Sequence, residues 1–292
     1  MRKGGYTFNA INITLMALIL IITLYPFWYI FAVSFNDGKD AARGGIYFIP
    51  RLFTLDNYKA VFQNKYIMNA FMVSGLRTLI GTVTHVFFTG MVAFAMSKSG
   101  LIGRRFYMMA GTVTMFFSGG LIPYYLLIRD LGLRNNFLVY IIPAMFNFWD
   151  MVIMMTFYRE IPAELSESAD IDGAGDLRVF LSIILPLSKP ILATMALFCG
   201  VYQWNDFFMA VLFIDKNELL PIQTILFKII AETEAQSMLT RTNLPDVVAR
   251  RRLTSESIKL ATMVVTTVPI ICVYPFLQKY FVKGMLIGSV KG

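Results

Sequence analysis

Residues 4–36 read GGYTFNAINITLMALILIITLYPFWYIFAVSFN and contain no charged side chain. A helix needs about 20 apolar residues to cross the hydrocarbon core of a bilayer, and this stretch exceeds that length. Two further stretches, residues 106–128 and 260–278, are also uncharged. Runs of this length predict an all-α integral membrane protein and exclude a soluble globular domain.

The composition agrees with a membrane protein. Of 292 residues, 57% are hydrophobic and 15% are charged, whereas soluble domains carry about 25% charged residues. The net charge of +8 is best explained by basic residues in loops, which fix the topology, so no nucleic-acid partner is expected. Cys199 and Cys272 lie in apolar runs, and no disulfide framework is implied.

Length and charge predict six membrane helices in one membrane domain over residues 1–292. Short basic loops place both chain termini in the cytoplasm, although Arg250–Arg252 then lie on the outer side. The segments 34–68 and 214–259 are predicted to be polar outer loops. The six helices are expected at about 11–33, 69–96, 106–128, 137–158, 187–213 and 260–282.

The most acidic stretch of the chain is EIPAELSESADIDG at residues 160–173, between the fourth and fifth predicted helices. Pro162 suits the first position of a short helix, and Gly173 suits the left-handed residue after its last turn. Asp176 is expected to cap a second short helix through residues 177–185.

These two short helices would expose apolar surface rimmed by charge, which is typical of a protein interface. The stretch at residues 160–186 is therefore predicted to dock on a partner at the cytoplasmic side. The alternative is a solvated acidic loop.

The spacing of Glu167-Ser168-Ala169, Gly173 and Ile183-Ile-Leu-Pro186 resembles the EAA motif of ABC-importer permeases, with Ser168 in place of the first alanine. The resemblance implies the type I importer permease fold. It also implies that the segment is a coupling helix that docks into a groove of an ATPase subunit. The implied coupling residues are Glu164, Glu167, Ser168, Ala169, Asp172, Gly173 and Pro186.

The C-terminal sequence carries a second match. Residues 278–284, QKYFVKG, followed by GSVKG at 288–292, resemble the tail of MalG-type carbohydrate permeases. The resemblance implies that the tail enters the interface of the ATPase dimer; the alternative is a frayed, solvated terminus. Residues 273–281 resemble the branch that imports oligosaccharides cut from complex polysaccharides. The implied tail contacts are Gly288, Ser289, Val290, Lys291 and Gly292.

Polar residues at membrane depth usually face the bundle interior or a wet cavity. A sugar needs aromatic faces for its ring and hydrogen-bonding groups for its hydroxyls, so two polar clusters are predicted to form a substrate pathway. One alternative is a salt bridge between Arg77 and Asp150, and another places Asp206 in water. His85, the lone histidine, is expected to be structural rather than a proton relay. The predicted pathway residues are Asn147, Trp149, Asp150, Gln203, Trp204, Asn205 and Asp206.

The outer segment 214–259 contains Arg250, Arg251 and Arg252. In the resembling family the matching loop contacts the solute-binding protein, and this basic run would favour an acidic partner or an anionic sugar. The alternative is a solvated face paired with nearby glutamates.

The chain lacks the residues of other function classes. One histidine and two cysteines do not make a usual zinc site, so no metal site is expected. No phosphate-binding loop of the form G-x-x-x-x-G-K-[ST] is present, and this chain is not expected to hydrolyse ATP. ATP and magnesium are expected on the partner ATPase.

The resemblance implies one permease subunit of a binding-protein-dependent ABC carbohydrate importer in the bacterial cytoplasmic membrane. Its expected partners are a second, non-identical permease, two ATPase subunits and an extracytoplasmic solute-binding protein. Its expected substrate is an oligosaccharide, with uronate-containing ones included, moved by alternating access. The alternatives are an ion-coupled secondary transporter that uses Asp150 and Asp206, a membrane-embedded enzyme, and an importer permease for a non-sugar solute.

Overall fold

The computed structural model describes residues 4–41, 43–240, 257–273 and 275. Within these ranges the chain is helical, with no strand and one isolated antiparallel bridge between Asn36 and Phe53. The helices are α1 Gly4–Ser34, α2 Asp56–Gln63, α3 Lys65–Ser97, α4 Arg104–Phe116, α5 Leu121–Asp130, α6 Phe148–Tyr158, α7 Ala163–Ile171, α8 Asp176–Leu187, α9 Lys189–Asn205, α10 Phe208–Phe213, α11 Ile222–Thr240 and α12 Ser257–Val273. Short helical turns occupy Gly38–Ala41, Phe137–Tyr140 and Asn217–Leu219.

The chain forms two compact units. The first unit spans Met1–Met68 and Ile225–Val268, and its described part has a small core of Val33, Ile46 and Leu260. Asn57 of α2 is buried there, and its Nδ2 donates to the carbonyl oxygens of Ser34 and Asn36, both at 2.9 Å. These bonds fix the chain direction directly after α1.

The second unit spans Asn69–Thr224 and Pro269–Gly292. Its core joins α3, α6, α8 and α9 around buried Met151, Met154, Met155, Met195 and Phe180. Methionine fills irregular gaps between helices well, which accounts for part of the high methionine content. At Gly111 of α4, a Cβ atom would overlap the Phe148 ring, so only glycine allows this approach to α6.

In the part of the chain that the structure describes, two helices are long and apolar enough to cross a membrane without interruption, over Phe8–Ser34 and Lys65–Ser97. Two bent pairs, α4 with α5 at 116° and α8 with α9 at 85°, raise the number of candidate spans to four. The remaining apolar helices, α6 and α12, are shorter. In the most apolar stretch of α1, only 11% of the residues are buried. Most of this helix is therefore free to contact lipid or a partner subunit.

The structure corrects the third predicted helix, which was expected to run unbroken over 106–128. It is broken between α4 and α5 around Gly119 and Gly120. Gly120 has φ 87° and ψ 177°, a conformation that only glycine adopts readily. The break could not be predicted from the uncharged composition, because a straight helix and a bent pair of helices both contain a long apolar run.

The fourth predicted helix, 137–158, is also shorter than expected. After the turn at Phe137–Tyr140 the backbone is irregular, and α6 begins only at Phe148. Pro143 lacks an N–H donor and restricts the residue before it. Asn147 then starts α6 as its N-cap, with its Oδ1 accepting from the Asp150 N–H at 3.2 Å.

The fifth predicted helix, 187–213, is divided into α9 and α10 at an extended Asp206. Phe207 is the N-cap of α10. The Asp206 Oδ1, one residue earlier, accepts from the N–H groups of Phe208 and Met209, which satisfies two donors at the start of α10 and favours the break. The predicted outer loop 214–259 contains α11, which begins directly after Pro221. Of the sixth predicted helix, 260–282, α12 covers residues up to 273, and residues 276–282 lie outside the described residues.

Candidate substrate cavity and coupling segment

Arg77 of α3 is buried and is held by the end of α9. Its Nε and Nη2 donate to Gln203 Oε1 at 3.2 and 3.0 Å, and its Nη1 donates to the Asp206 carbonyl oxygen at 2.9 Å. Its Nη2 also donates to Asp206 Oδ2 at 2.7 Å. The guanidinium carbon lies 4.3 Å from the centre of the Tyr140 ring, within cation–π range. The charge of Arg77 is therefore neutralised within the protein.

Gln203 and Asp206 extend this network to the neighbouring backbone. Gln203 is fully buried, and its Nε2 donates to the Tyr140 carbonyl oxygen at 3.0 Å. Asp206 binds Arg77 with one oxygen, and its other oxygen accepts from the Phe208 N–H at the start of α10. The cluster thus fixes the position where α9 ends and the chain turns into α10.

His85, further along α3, contacts α6 through Asp150. The His85 Nδ1 lies 2.8 Å from the Ala144 carbonyl oxygen, and Nε2 lies 3.0 Å from Asp150 Oδ2. A carbonyl oxygen only accepts, so Nδ1 carries a proton. The Nε2 contact brings the imidazole of His85 and the carboxyl group of Asp150 together as a second polar pair.

Both pairs lie beside one cavity of about 320 Å³, which Arg77, His85, Asn147, Asp150 and Gln203 help to line. A concave site with aromatic walls and a few convergent polar groups is typical of small-molecule binding. The aromatic side chains of the wall are Tyr124, Tyr140, Phe146, Phe198 and Tyr202.

The cavity gathers part of the predicted substrate pathway. Asn147, Asp150 and Gln203 line it, and Asp206 binds Arg77 beside it. Trp149 is 59% exposed, and Asn205 is exposed and bonds Gln223 of α11. Trp204 lines a separate apolar groove of about 330 Å³. The pathway role of these residues stays a prediction.

Two alternatives for these residues are wrong in detail. Arg77 pairs with Asp206 and not with Asp150, whose partner is His85. Asp206 does not sit in water, because its side chain is only 9% exposed. The predicted helices placed each of these charges within a membrane span. The break after Asn205 decides which carboxylate faces α3.

The sequence reasoning missed the tyrosines of the cavity wall and the pairing of His85. One signal was available for Tyr202, because Phe198, Cys199, Tyr202, Gln203 and Asp206 recur at helical spacing on one face of α9. No comparable signal marks Tyr124 or Tyr140, since both approach the cavity from segments that were predicted to be longer helices.

The coupling segment folds as two short helices around Gly173. Gly173 has φ 77°, as predicted. Its N–H donates to the Asp170 carbonyl oxygen, and the Ala174 N–H donates to that of Ala169; these two bonds form the usual glycine termination of a helix. Pro162 is the N-cap of α7 and not its first residue.

The expectation that Asp176 caps the second helix is wrong. Gly175 is the N-cap of α8 and Asp176 is its first residue. The Asp176 carboxylate instead contacts Lys98 at the end of α3, because an ammonium group lies within reach of this exposed side chain.

The faces of this segment differ in burial. Val179 and Phe180 belong to the core of the second unit, so this part of the predicted apolar surface is already covered. Leu165 and Ile171 remain exposed. A groove of about 870 Å³ between α7, α8 and the end of α3 is lined by Glu167 among other residues. The exposed candidate coupling residues are Glu164, Glu167, Ser168, Asp172, Gly173 and Pro186, while Ala169 is half-buried.

Two sets of predicted contact residues lie outside the described residues. They are the tail Gly288, Ser289, Val290, Lys291 and Gly292, and the outer run Arg250, Arg251 and Arg252. Their predicted roles therefore have no structural account.

Comparison with known proteins gives matches over nearly the full length, although no protein-family model matches the chain. Protein LplC of Bacillus subtilis (strain 168) is 41% identical over 290 residues, which cover 99% of this chain and 97% of that protein. The polygalacturonan/rhamnogalacturonan transport system permease protein YtcP of the same organism is 36% identical over 272 residues, covering 93% and 94%.

A solved structure agrees with these relatives. It is the crystal structure of a bacterial ABC transporter involved in the import of the acidic polysaccharide alginate. One of its chains matches with a TM-score of 0.86 and 31% identity, over 96% of this chain and 99% of that one. The likeness thus extends over both compact units.

Proposed function

The chain belongs to the family of permease subunits of ABC carbohydrate importers, and we propose that it carries an oligosaccharide across the bacterial cytoplasmic membrane. The observation that carries this proposal is the full-length structural match, at a TM-score of 0.86, to a chain of an importer of an acidic polysaccharide. Alternating access about a site between two states of the bundle would move the sugar.

The proposed assembly has four further subunits. A second, non-identical permease completes the pathway, a solute-binding protein delivers the sugar, and two ATPase subunits hold ATP and magnesium. This chain contributes six spans with both termini in the cytoplasm; the bent pairs α4–α5 and α8–α9 would each count as one span. The outer run Arg250–Arg252 would contact the binding protein, and the tail 288–292 would contact the ATPase dimer.

The coupling step is assigned to α7. Closure of the ATPase dimer would pull on Glu164, Glu167 and their neighbours, and α7 would transmit the pull because Gly173 and Ala174 tie its end to its own last turn. Ala169 packs against the core that α6 and α8 share, so movement of α7 would be passed directly into the core of the second unit, to which α7 itself belongs.

The proposed substrate is an oligosaccharide that contains uronate rings. Both YtcP and the alginate transporter carry names that refer to acidic polysaccharides, and the basic outer run offers charge of the opposite sign. The cavity beside Arg77 and His85 would form part of the pathway, with Asn147, Asp150 and Gln203 in its wall.

The proposal is tested first by co-purification and uptake. The tagged chain, isolated from its native membrane, is expected to bring a second permease and an ATPase, identified by mass spectrometry. Cells are expected to take up a labelled rhamnogalacturonan oligosaccharide, which carries both neutral and uronate rings, only when the chain is present. Recovery of the chain alone, with uptake intact, would overturn the importer assignment in favour of an ion-coupled carrier, which the membrane-embedded pairs at Asp150 and Asp206 would suit.

The coupling assignment has its own matched variants. Glu167→Lys is expected to lower ATPase co-purification and oligosaccharide uptake by more than about tenfold, because it places a cation in a docking face. Asp130→Lys makes the same charge reversal at an exposed position at the end of α5, outside residues 160–186, and is expected to keep most of the uptake. Equal effects of the two variants would contradict a specific role for Glu167.

A further inference from the structure

We infer that the 320 Å³ cavity of this chain is a subsite for one uncharged sugar ring, and that carboxylate-bearing rings of an acidic oligosaccharide are recognised outside it. The inference rests on the proposed function and adds to it a selectivity that differs from the acidic character of the whole substrate. It follows from the charges of the cavity, its size and the groups that its wall presents.

Each charged or ionisable side chain of the two polar pairs beside the cavity has its partner within the protein. Arg77 makes four hydrogen bonds, all to Gln203 and Asp206, and the ion pair with Asp206 balances its charge. His85 Nε2 lies 3.0 Å from Asp150 Oδ2, so the carboxyl group that lines the cavity already has a partner. The other titratable groups of the described wall are phenols and one thiol, which are neutral near pH 7. They are Tyr124, Tyr140, Tyr202 and Cys199.

A carboxylate that entered this cavity would find no free cation in the described wall. It would have to draw Arg77 away from Asp206, or lie close to the acidic oxygens of Asp150. A charge moved out of water without a partner is costly, and like charges placed side by side cost more. A neutral ring avoids both costs.

The size and the polar groups fit one ring. At about 30 Å³ for each water of the liquid, the cavity corresponds to about ten waters, which is the scale of one pyranose with its hydroxyls and not of a chain of rings. The Asn147 amide and the hydroxyls of Tyr124 and Tyr202 offer hydrogen bonds in the wall, and Phe146 and Phe198 offer apolar faces.

The test uses the complete complex of permeases and ATPases in lipid nanodiscs, without the binding protein, so that the binding protein cannot filter the ligands. The probes are the methyl glycosides of glucose, galactose and mannose, each compared with the methyl glycoside of the corresponding uronic acid. Each pair differs only at C6, where a hydroxymethyl group becomes a carboxylate. Binding is measured by saturation-transfer NMR at pH 7.

We expect at least one neutral glycoside to bind at least about tenfold more tightly than its uronate, which corresponds to about 1.4 kcal/mol. Asp206→Asn keeps an Oδ1 acceptor for the N–H groups of Phe208 and Met209, because the carbonyl oxygen of the asparagine amide accepts hydrogen bonds as the carboxylate oxygen does. It removes the counter-charge of Arg77, so the uronate is expected to gain about tenfold relative to the neutral ring.

Asp215→Asn is the matched control, since it removes an Arg–Asp pair of the same 2.7 Å length, outside the cavity, and should leave the preference unchanged. Equal or tighter uronate binding by the wild type would overturn the inference, as would no binding of any neutral ring. An unchanged preference in Asp206→Asn would overturn the assignment to this cavity. If Asp206→Asn does not assemble, the comparison of each neutral glycoside with its uronate on the wild-type complex still tests the inferred preference. Oligosaccharide uptake by cells tests the importer function separately, so the two can fail independently.

Discussion

Two arginine–aspartate pairs in the second unit have the same geometry and opposite surroundings. Arg77–Asp206 and Arg134–Asp215 both join Nη2 to Oδ2 at 2.7 Å. The side chains of the first pair are 1% and 9% exposed, and those of the second are 47% and 66% exposed. Water screens the charges of the second pair and solvates either member when it is alone. Either member of the first pair would, without the other, be a buried charge with neither a partner nor water. Burial, and not bond length, decides what each pair contributes.

The largest expected effect comes from breaking the buried pair. Arg77→Met leaves the Asp206 carboxylate and the Gln203 amide without their donor, and removal of one partner of a buried pair costs about 3–5 kcal/mol. We expect a clear fall of the thermal midpoint of the detergent-solubilised chain, measured by size-exclusion chromatography after heating.

The exposed pair supplies the control. Arg134→Met removes the same group from a solvated pair and is expected to leave the midpoint close to that of the wild type. Equal shifts for the two variants would contradict the view that burial sets the difference.

A second, smaller effect tests how tightly the buried cluster is packed. A Cβ added at Gly81 of α3 would lie 2.5 Å from Gln203 Nε2. Since Gln203 is buried and bonded at both ends, it has little freedom to move away. Gly81→Ala is expected to cost about 1–3 kcal/mol, as overpacking usually does.

Gly75 is the matched position on the same helix, because a Cβ there meets no atom within 4 Å. Gly75→Ala is expected to be neutral or to stabilise by up to about 1 kcal/mol through helix propensity. Both variants are measured under the same denaturing conditions. A loss of stability in both would show that α3 tolerates no added methyl group, and that the packing around Gln203 is not the specific cause.

The sequence was sufficient where a local rule decides the outcome. Uncharged runs predicted a helical membrane protein, and the position of Gly173 after an acidic helix predicted its left-handed backbone, φ 77°. The motif around Glu167 pointed to the family that the relatives and the solved structure support. These features depend on composition or on contacts within one or two turns.

The sequence was insufficient where distant segments meet. Arg77, Asp150 and Asp206 were all recognised as buried charges, but spacing along the chain does not tell which carboxylate faces α3. The break around Gly120 bends α5 by 116° from α4, and the break at Asp206 ends α9 where the Asp206 carboxylate meets Arg77. The available signals for these breaks were the pair Gly119-Gly120 and Asp206 before an apolar run. The prediction gave more weight to the length of the hydrophobic runs.

The smallest expected effect concerns the exposed pair and its dependence on pH. The Asn135 Nδ2 donates to Asp215 Oδ2 at 3.0 Å, and this bond, with the charge of Arg134, lowers the pKa of Asp215 below its ordinary value of 3.8. The unfolded chain then binds more protons near this pH, so the pair stabilises the fold fully above the ordinary value and stops doing so as the pH falls through the folded pKa.

Asp215→Asn cannot titrate at this position, so it serves as the reference. We expect a small difference in thermal midpoint between wild type and variant at about pH 5, and a narrowing of that difference towards about pH 3. A difference that stays constant or widens with acid would show that the carboxylate contributes nothing through its charge. Because the pair is open to water, added salt should shrink the difference at about pH 5 as well, whereas the buried Arg77–Asp206 pair should be far less sensitive to salt.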